Sequence, residues 1–186
     1  MSVLPIVTYN DPVLRQKADL VTSDSDELQD LIDDMFDTMY NANGVGLAAP
    51  QIGKALRLFV VDADVMGEDD ESERVYGPMV FMNPELHPVA CEDVEMEEGC
   101  LSLPELREKI TRPDKVRMTF LDRDFQKKDM HFSGWMARVV QHEYDHINGI
   151  LFIDYVGSFR KRLMRSKLDV LEAGQLKAEY PLVPKS

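Results

Sequence analysis

Apolar residues recur at Leu28, Leu31, Ile32, Met35, Phe36 and Met39, the spacing of a helix with one core-facing stripe. Asp24 and Ser25 are candidate caps ahead of it, and Asp26 and Glu27 suit the positive end of the helix dipole. Asn41-Ala42-Asn43-Gly44 ends the pattern. Before this helix, residues 3–20 read as extended or irregular, because Pro5 and Pro12 discourage helix at and before their positions. Leu56–Asp62 reads as a strand. Shorter strands are expected at Val80–Met82 and Glu85–Val94, broken by Pro84 and Pro88. Lys115–Asp122 alternates polar and apolar, and Lys128–Phe132 is placed to pair with it across the Asp124-Phe125-Gln126 turn region.

A second helix is predicted from Ser133-Gly134 to the stop at Asn148-Gly149. On it Trp135, Val139, His142 and His146 share one face. Met136, Val140, Glu143 and Ile147 lie just beside that face, and Arg138, Gln141 and Asp145 are turned away from it. Leu151–Tyr155 is a short apolar segment. A last helix spans 158–173 before Gly174, and Pro181 and Pro184 mark a frayed tail. Strands ahead of a central helix give an α+β class: antiparallel sheets packed around that helix, flanked by N-terminal and C-terminal helices. At 186 residues the chain is expected to form one domain spanning 1–186.

Composition narrows the function classes. No apolar run approaches the roughly 20 residues that span a bilayer, so no membrane role is expected. The N-terminus lacks the basic and apolar regions of a secretory signal, which gives a cytoplasmic expectation. The net charge of −13 speaks against general nucleic-acid affinity and against DNA as a partner. In a reducing compartment the two cysteines, Cys91 and Cys100, are not expected to pair. Acid is concentrated in 62–73, read as a solvated loop, and in Glu92–Glu98. Residues 158–167 are the opposite, with Arg160, Lys161, Arg162, Arg165 and Lys167 and no acid.

The chemistry concentrates in His142-Glu143-Tyr144-Asp145-His146. Histidines at i and i+4 on one helix face can reach a single metal ion, and the adjacent glutamate can act on water there. Two surface histidines are the alternative, decided by whether a third ligand exists. An extended His-x-x-Gly-x-x-His pattern requires histidine at 152, where the chain has Phe152. Glu172, Glu179, His87 and His131 are further options, each with an ordinary structural or surface reading. Cys100 is the better candidate, because it follows Gly99 and a thiolate binds divalent ions strongly. Gly44–Gly53, with three glycines, is either a site of close backbone approach or a tight turn.

Gly44-Val-Gly-Leu-Ala-Ala-Pro-Gln51, Glu98-Gly-Cys-Leu-Ser102 and His142-Glu-x-x-His146, in that order, resemble the three motifs of the peptide deformylase family. The Asp-Pro-Val-Leu-Arg segment at 11–15 and the charged last helix are similar to the bacterial form. The resemblance implies an enzyme that removes the formyl group from N-formylmethionyl nascent peptides and releases formate. It implies Cys100, His142 and His146 as metal ligands and Glu143 as general base. The Gln51 side-chain amide and the Leu101 backbone N–H would stabilise the oxyanion. Gly46 would let the substrate backbone approach as an added strand, Gly99 is a further substrate-binding residue, and Val45, Trp135 and Val139 are candidates for the methionine pocket. The implied ion is Fe²⁺, with Zn²⁺, Ni²⁺ or Co²⁺ substituting in purified material. The same resemblance implies docking of the basic helix 158–173 on the ribosome. An ordinary metallopeptidase built on the same helix is the competing reading, separated from the first by whether Cys100 is a ligand.

Overall fold

The computed structural model describes residues 2–64, 76–175 and 178–183. The acidic run read as a loop falls for the most part outside them; of its described members, Asp62 accepts from the Tyr40 hydroxyl at 2.6 Å and Asp64 from the backbone of Tyr76 and Gly77.

The elements in order are β1 (Ile6–Val7), α1 (Asp26–Asn41), β2 (Gly46–Ala48), β3 (Leu58–Val61), β4 (Met79–Pro88), β5 (Asp93–Cys100), β6 (Leu103–Pro113), β7 (Lys115–Leu121), β8 (Lys127–Ser133), α2 (Gly134–His146), α3 (Ser158–Glu172) and β9 (Leu182–Val183). Five strands form an antiparallel sheet in the order β2-β3-β4-β7-β8. β5 and β6 form a separate antiparallel ribbon, and β1 and β9 pair in parallel, joining the two ends of the chain.

Local sequence explains most of this. The Ser25 hydroxyl accepts from the Leu28 N–H and opens α1, whose Leu28, Ile32, Met35 and Met39 are buried. The β7–β8 hairpin forms as the alternation predicts, in register from Lys115–Ser133 to Leu121–Lys127. Gly149, at φ +76°, lies just past α2, and a side chain there would meet the Arg15 backbone at 2.9 Å.

Three expectations need correction. Pro12 does not exclude helix: it opens a 3₁₀ turn over Pro12–Arg15, where a missing N–H costs nothing, with the Asp11 carboxylate capping Val13 N–H. The break expected at Pro88 is present, with β4 ending there and β5 starting at Asp93. Pro84 does not end β4, because it lies in a bulge beside Asn83, whose amide bonds both backbone groups of Val21. The tail is not frayed through 178–183, since Leu182 and Val183 pair with Ile6 and Val7.

The core divides into three clusters. The first packs α2 on the large sheet through Phe59, Phe81, Phe132 and Val140. The second packs α1 on β2 and β3 through Ile32, Met35, Leu47 and Leu58. The third packs β6, the 3₁₀ turn at Phe152–Tyr155 and α3 through Leu106, Ile110, Phe152 and Leu168. α2 is buried all round: Arg138, Gln141 and Asp145, turned from the histidine face, are enclosed and bonded rather than solvated.

Candidate active site

α2 lies beneath a cleft of about 520 Å³, walled by β2, the β5–β6 ribbon and the segment 178–180. Cys100, from the last position of β5, meets His142 and His146 here, with one ligand atom of each within 4.8 Å of the others. Cys100 Sγ lies 3.3 Å from His146 Nε2. A sulfur and a nitrogen bound tetrahedrally to one ion, at ordinary bond lengths, stand about 3.6 Å apart. The donor set therefore fits a divalent transition metal with an open fourth position.

The surroundings orient these donors. Glu98 Oε2 accepts from His142 Nδ1 at 2.9 Å, which turns Nε2 of that ring toward the thiol. Glu98 is gripped in turn by Arg112 (Nε to Oε1, 2.7 Å; Nη2 to Oε2, 3.0 Å) and by Arg138 Nη1 at 2.8 Å. Arg112 also donates to Asp145 at 2.7 Å, and its guanidinium lies 4.7 Å from the centre of the Tyr155 ring. Burial opposes the charge on Glu98, but the bonds from His142 and Arg112 outweigh it and hold the carboxyl well below its usual range. Burial also opposes a proton on His142, and the neighbouring Cys100 and Glu98 outweigh it and raise that ring. His146 is lowered by burial and by the neighbouring His142. Phe152, where a third histidine would have been, stacks on the His142 ring at 6.2 Å between centroids.

Glu143 is enclosed, and its Oε2 is buried without a hydrogen-bond partner among the described residues. Burial pushes its carboxyl up to about 7, against the pull of His142. Its near neighbour is Gly46: a Cβ built there would stand 2.5 Å from Glu143 Oε1. The missing side chain at 46 thus makes room for the glutamate, a reason the sequence did not give. Gln51, 1% exposed in a 3₁₀ turn, accepts from Ala48 N–H through Oε1 at 2.8 Å. That bond leaves Nε2 to face the site, 3.6 Å from Cys100 Sγ.

Val45, Gly46, Gly99, Leu101, Trp135 and Val139 all line the cleft. Of the other ligand options, Glu172 accepts from the Tyr9 hydroxyl and His87 bonds Thr119, both away from the thiol. Glu179 reaches the cleft wall, but it is not one of the group that could hold an ion among the described residues. Sequence reasoning missed Arg112, Arg138 and Tyr180, and gave Glu98 no role. Arg112 takes a buried place in β6, but Glu105, at φ +62°, shifts the alternation that would have marked it.

The sequence model described as Polypeptide deformylase matches residues 3–162. The chain belongs to this family. A peptide deformylase of Salinibacter ruber is 48% identical over 187 residues, covering 98% of this chain and 95% of that protein. One of Christiangramia forsetii is 42% identical, covering 97% and 95%. Among solved structures, a peptide deformylase from Legionella pneumophila superposes with a TM-score of 0.81 at 41% identity, covering 94% of this chain and 98% of that one. One from Ehrlichia chaffeensis in complex with actinonin gives 0.82 at 36% identity, covering 91% and 97%. Like the family, this chain is a metal-dependent hydrolase that removes the formyl group from the N-terminal formyl-methionine of newly synthesised proteins.

Proposed function

We propose that Cys100, His142 and His146 hold one Fe²⁺ per chain and that Glu143 moves the proton of the deformylation reaction. One observation carries the reading: three convergent donors stand beside an enclosed carboxylate, one of whose oxygens has no partner among the described residues, at the floor of an open cleft. When bound, the ion supplies Lewis acidity, lowering the pKa of a coordinated water and polarising a carbonyl. Glu143 takes a proton from the attacking water and delivers one to the leaving amine. Gln51 Nε2, aimed by the Ala48 bond, and the Leu101 N–H donate to the oxygen of the formyl group as it gains charge. Zn²⁺, Ni²⁺ or Co²⁺ satisfy the same donors, and ferrous iron beside a thiolate is the form most exposed to oxidation.

The topology supports an added-strand mode for the peptide. β2 is an edge strand, and β5 pairs on one side only, with β6. Gly46 and Gly99 lie on these two edges and both reach the cleft. Val45, Trp135 and Val139 offer the apolar wall for the methionine side chain. Residues 1–186 then act as one catalytic domain. Cytoplasmic placement is supported by the two free cysteines, Cys91 and Cys100.

Anaerobic purification, metal analysis and formate release from a formyl-Met peptide test this reading together. Cys100→Ala loses the metal. Glu143→Ala keeps it and loses turnover. A metal-loaded wild type that releases no formate refutes the function, and iron absent from anaerobically purified, active enzyme refutes the ion.

The basic helix supports ribosome docking as a second part of the proposal. Arg160 is engaged by Glu108 and Arg165 by Asp169, but Lys161 and Arg162 make no ion pair among the described residues. Changing both to Glu should weaken co-sedimentation with ribosomes at low salt; undiminished binding contradicts it.

A further inference from the structure

The turn Cys100-Leu101-Ser102 carries both a metal-binding thiol and the residue read above as an oxyanion donor, so its main chain must be held still. It lies where the β5–β6 register shifts: Gly99 pairs with Arg107, but the next residue, Cys100, faces Leu103. Regular strand pairing therefore stops just where precision is needed. Two hydrogen bonds from elsewhere replace it. The Tyr9 N–H donates to the Ser102 carbonyl at 3.0 Å, and the Tyr180 hydroxyl donates to the Leu101 carbonyl at 2.8 Å.

These donors come from opposite ends of the chain. Tyr9 follows β1 and Tyr180 precedes β9, and β1 and β9 pair with each other through Ile6–Leu182 and Val7–Val183. The Ile6 N–H also donates to the Pro181 carbonyl at 2.9 Å, one residue beyond Tyr180. The two ends thus form one ribbon with an arm on each of two consecutive carbonyls. Tyr180 packs in the second cluster beside Leu101 and Leu182, and with Ala178 and Glu179 it walls the cleft. The Leu101 side chain is seated too, its Cδ1 only 2.9 Å from where a Cβ on Gly44 would lie.

We propose that Tyr180 is a positioning residue for deformylation: its hydroxyl fixes the Leu101 carbonyl, and with it the direction of the Leu101 N–H. The N–H and the carbonyl flank one α-carbon whose side chain is already seated. With the carbonyl pinned, the peptide unit bearing the N–H has little freedom to swing. Misplacement of a donor by a fraction of an ångström lowers transition-state stabilisation and leaves ground-state binding alone. This inference rests on the assignment of Leu101 as an oxyanion donor.

The test is Tyr180→Phe in the full-length, metal-loaded chain, which removes one oxygen and keeps the ring. The expected kcat for a formyl-Met peptide falls roughly tenfold, with KM within about twofold of wild type. Metal content is unchanged, because none of the three donor side chains bonds Tyr180. In the Zn²⁺-loaded, ¹⁵N-leucine-labelled protein the Leu101 amide resonance shifts, and the Leu14 and Leu168 resonances stay in place. A wild-type kcat overturns the proposal, as does a reduced kcat with an unmoved Leu101 amide. If wild type itself releases no formate, the functional reading has failed, and the amide resonance alone still judges whether Tyr180 holds Leu101.

Discussion

Gly46→Ala isolates the contact between β2 and Glu143, the proposed general base. Gly46 carries no positive φ, so alanine suits the backbone, and the perturbation is one methyl group. That methyl would lie 2.5 Å from Glu143 Oε1 and 2.9 Å from both Cδ and Cγ. Ordinary contact begins near ~3.5 Å, so the carboxylate must retreat by about 0.6–1 Å. Glu143 is buried and lines the cleft, so the displaced carboxylate moves away from its place beside the three donors. Overpacking of this kind costs roughly 1–3 kcal/mol of stability, which leaves most folded domains folded. Catalysis is more sensitive, since displacing a reacting group by about 1 Å costs on the order of 100-fold, or ~2.7 kcal/mol of barrier. The expected variant is folded, carries one metal ion per chain and releases formate about 100-fold more slowly at saturating substrate. Circular dichroism, metal analysis and a formate assay measure the three quantities. Wild-type turnover by a fully loaded Gly46→Ala protein refutes the claim that this glycine makes room for Glu143. A loss carried wholly in KM refutes it also, and points to substrate approach as the glycine's main role.

Arg112→Met leaves Glu98 and Asp145 without their shared cation in a buried setting, and breaking such a pair costs roughly 3–5 kcal/mol. Because Arg138 still holds Glu98, urea unfolding should give a loss at the low end of that range, and a loss under 1 kcal/mol contradicts the network's role. Tyr40 gives a pH signature: burial, its bond to Asp62 and the Asp62 charge push it up to about 12. A raised acid stabilises the fold fully below its unfolded pKa near 10, and the contribution fades as the pH climbs through about 12. The absorbance difference between wild type and Tyr40→Phe should show one phenolate appearing near pH 12; a midpoint near 10 removes the assigned hydrogen bond.

The parts of the fold that were legible were those with clean periods. The α1 stripe and the β7–β8 alternation are local patterns, and their elements formed where expected. β6 was not legible, for a definable reason. Glu105 takes φ +62° and shifts the alternation, so Leu103, Leu106 and Ile110 fall at three- and four-residue spacings that do not resemble a strand. Beyond the shift the buried positions are Leu106, Ile110 and Arg112, and an arginine in a charged stretch reads as solvated. The three residues that could hold an ion were legible because histidines four apart and a glycine-flanked cysteine have few other uses together. Glu98, Arg112 and Arg138 were not, because their partners are side chains brought in from distant segments, and charge alone does not show whether it is buried. Tyr180 was hidden by its prolines: Pro181 reads as an end of structure, although an edge strand tolerates it.

The three hydrophobic clusters have one more consequence. Each contributes its own wall of the cleft: Trp135 and Val139 belong with the first, Leu101 and Tyr180 with the second, Cys100 with the third. The proposed catalytic groups therefore lie where three packed clusters meet, and none of the three carries the whole site. A core substitution far from the cleft, in any cluster, reaches the chemistry by letting one wall drift from the other two.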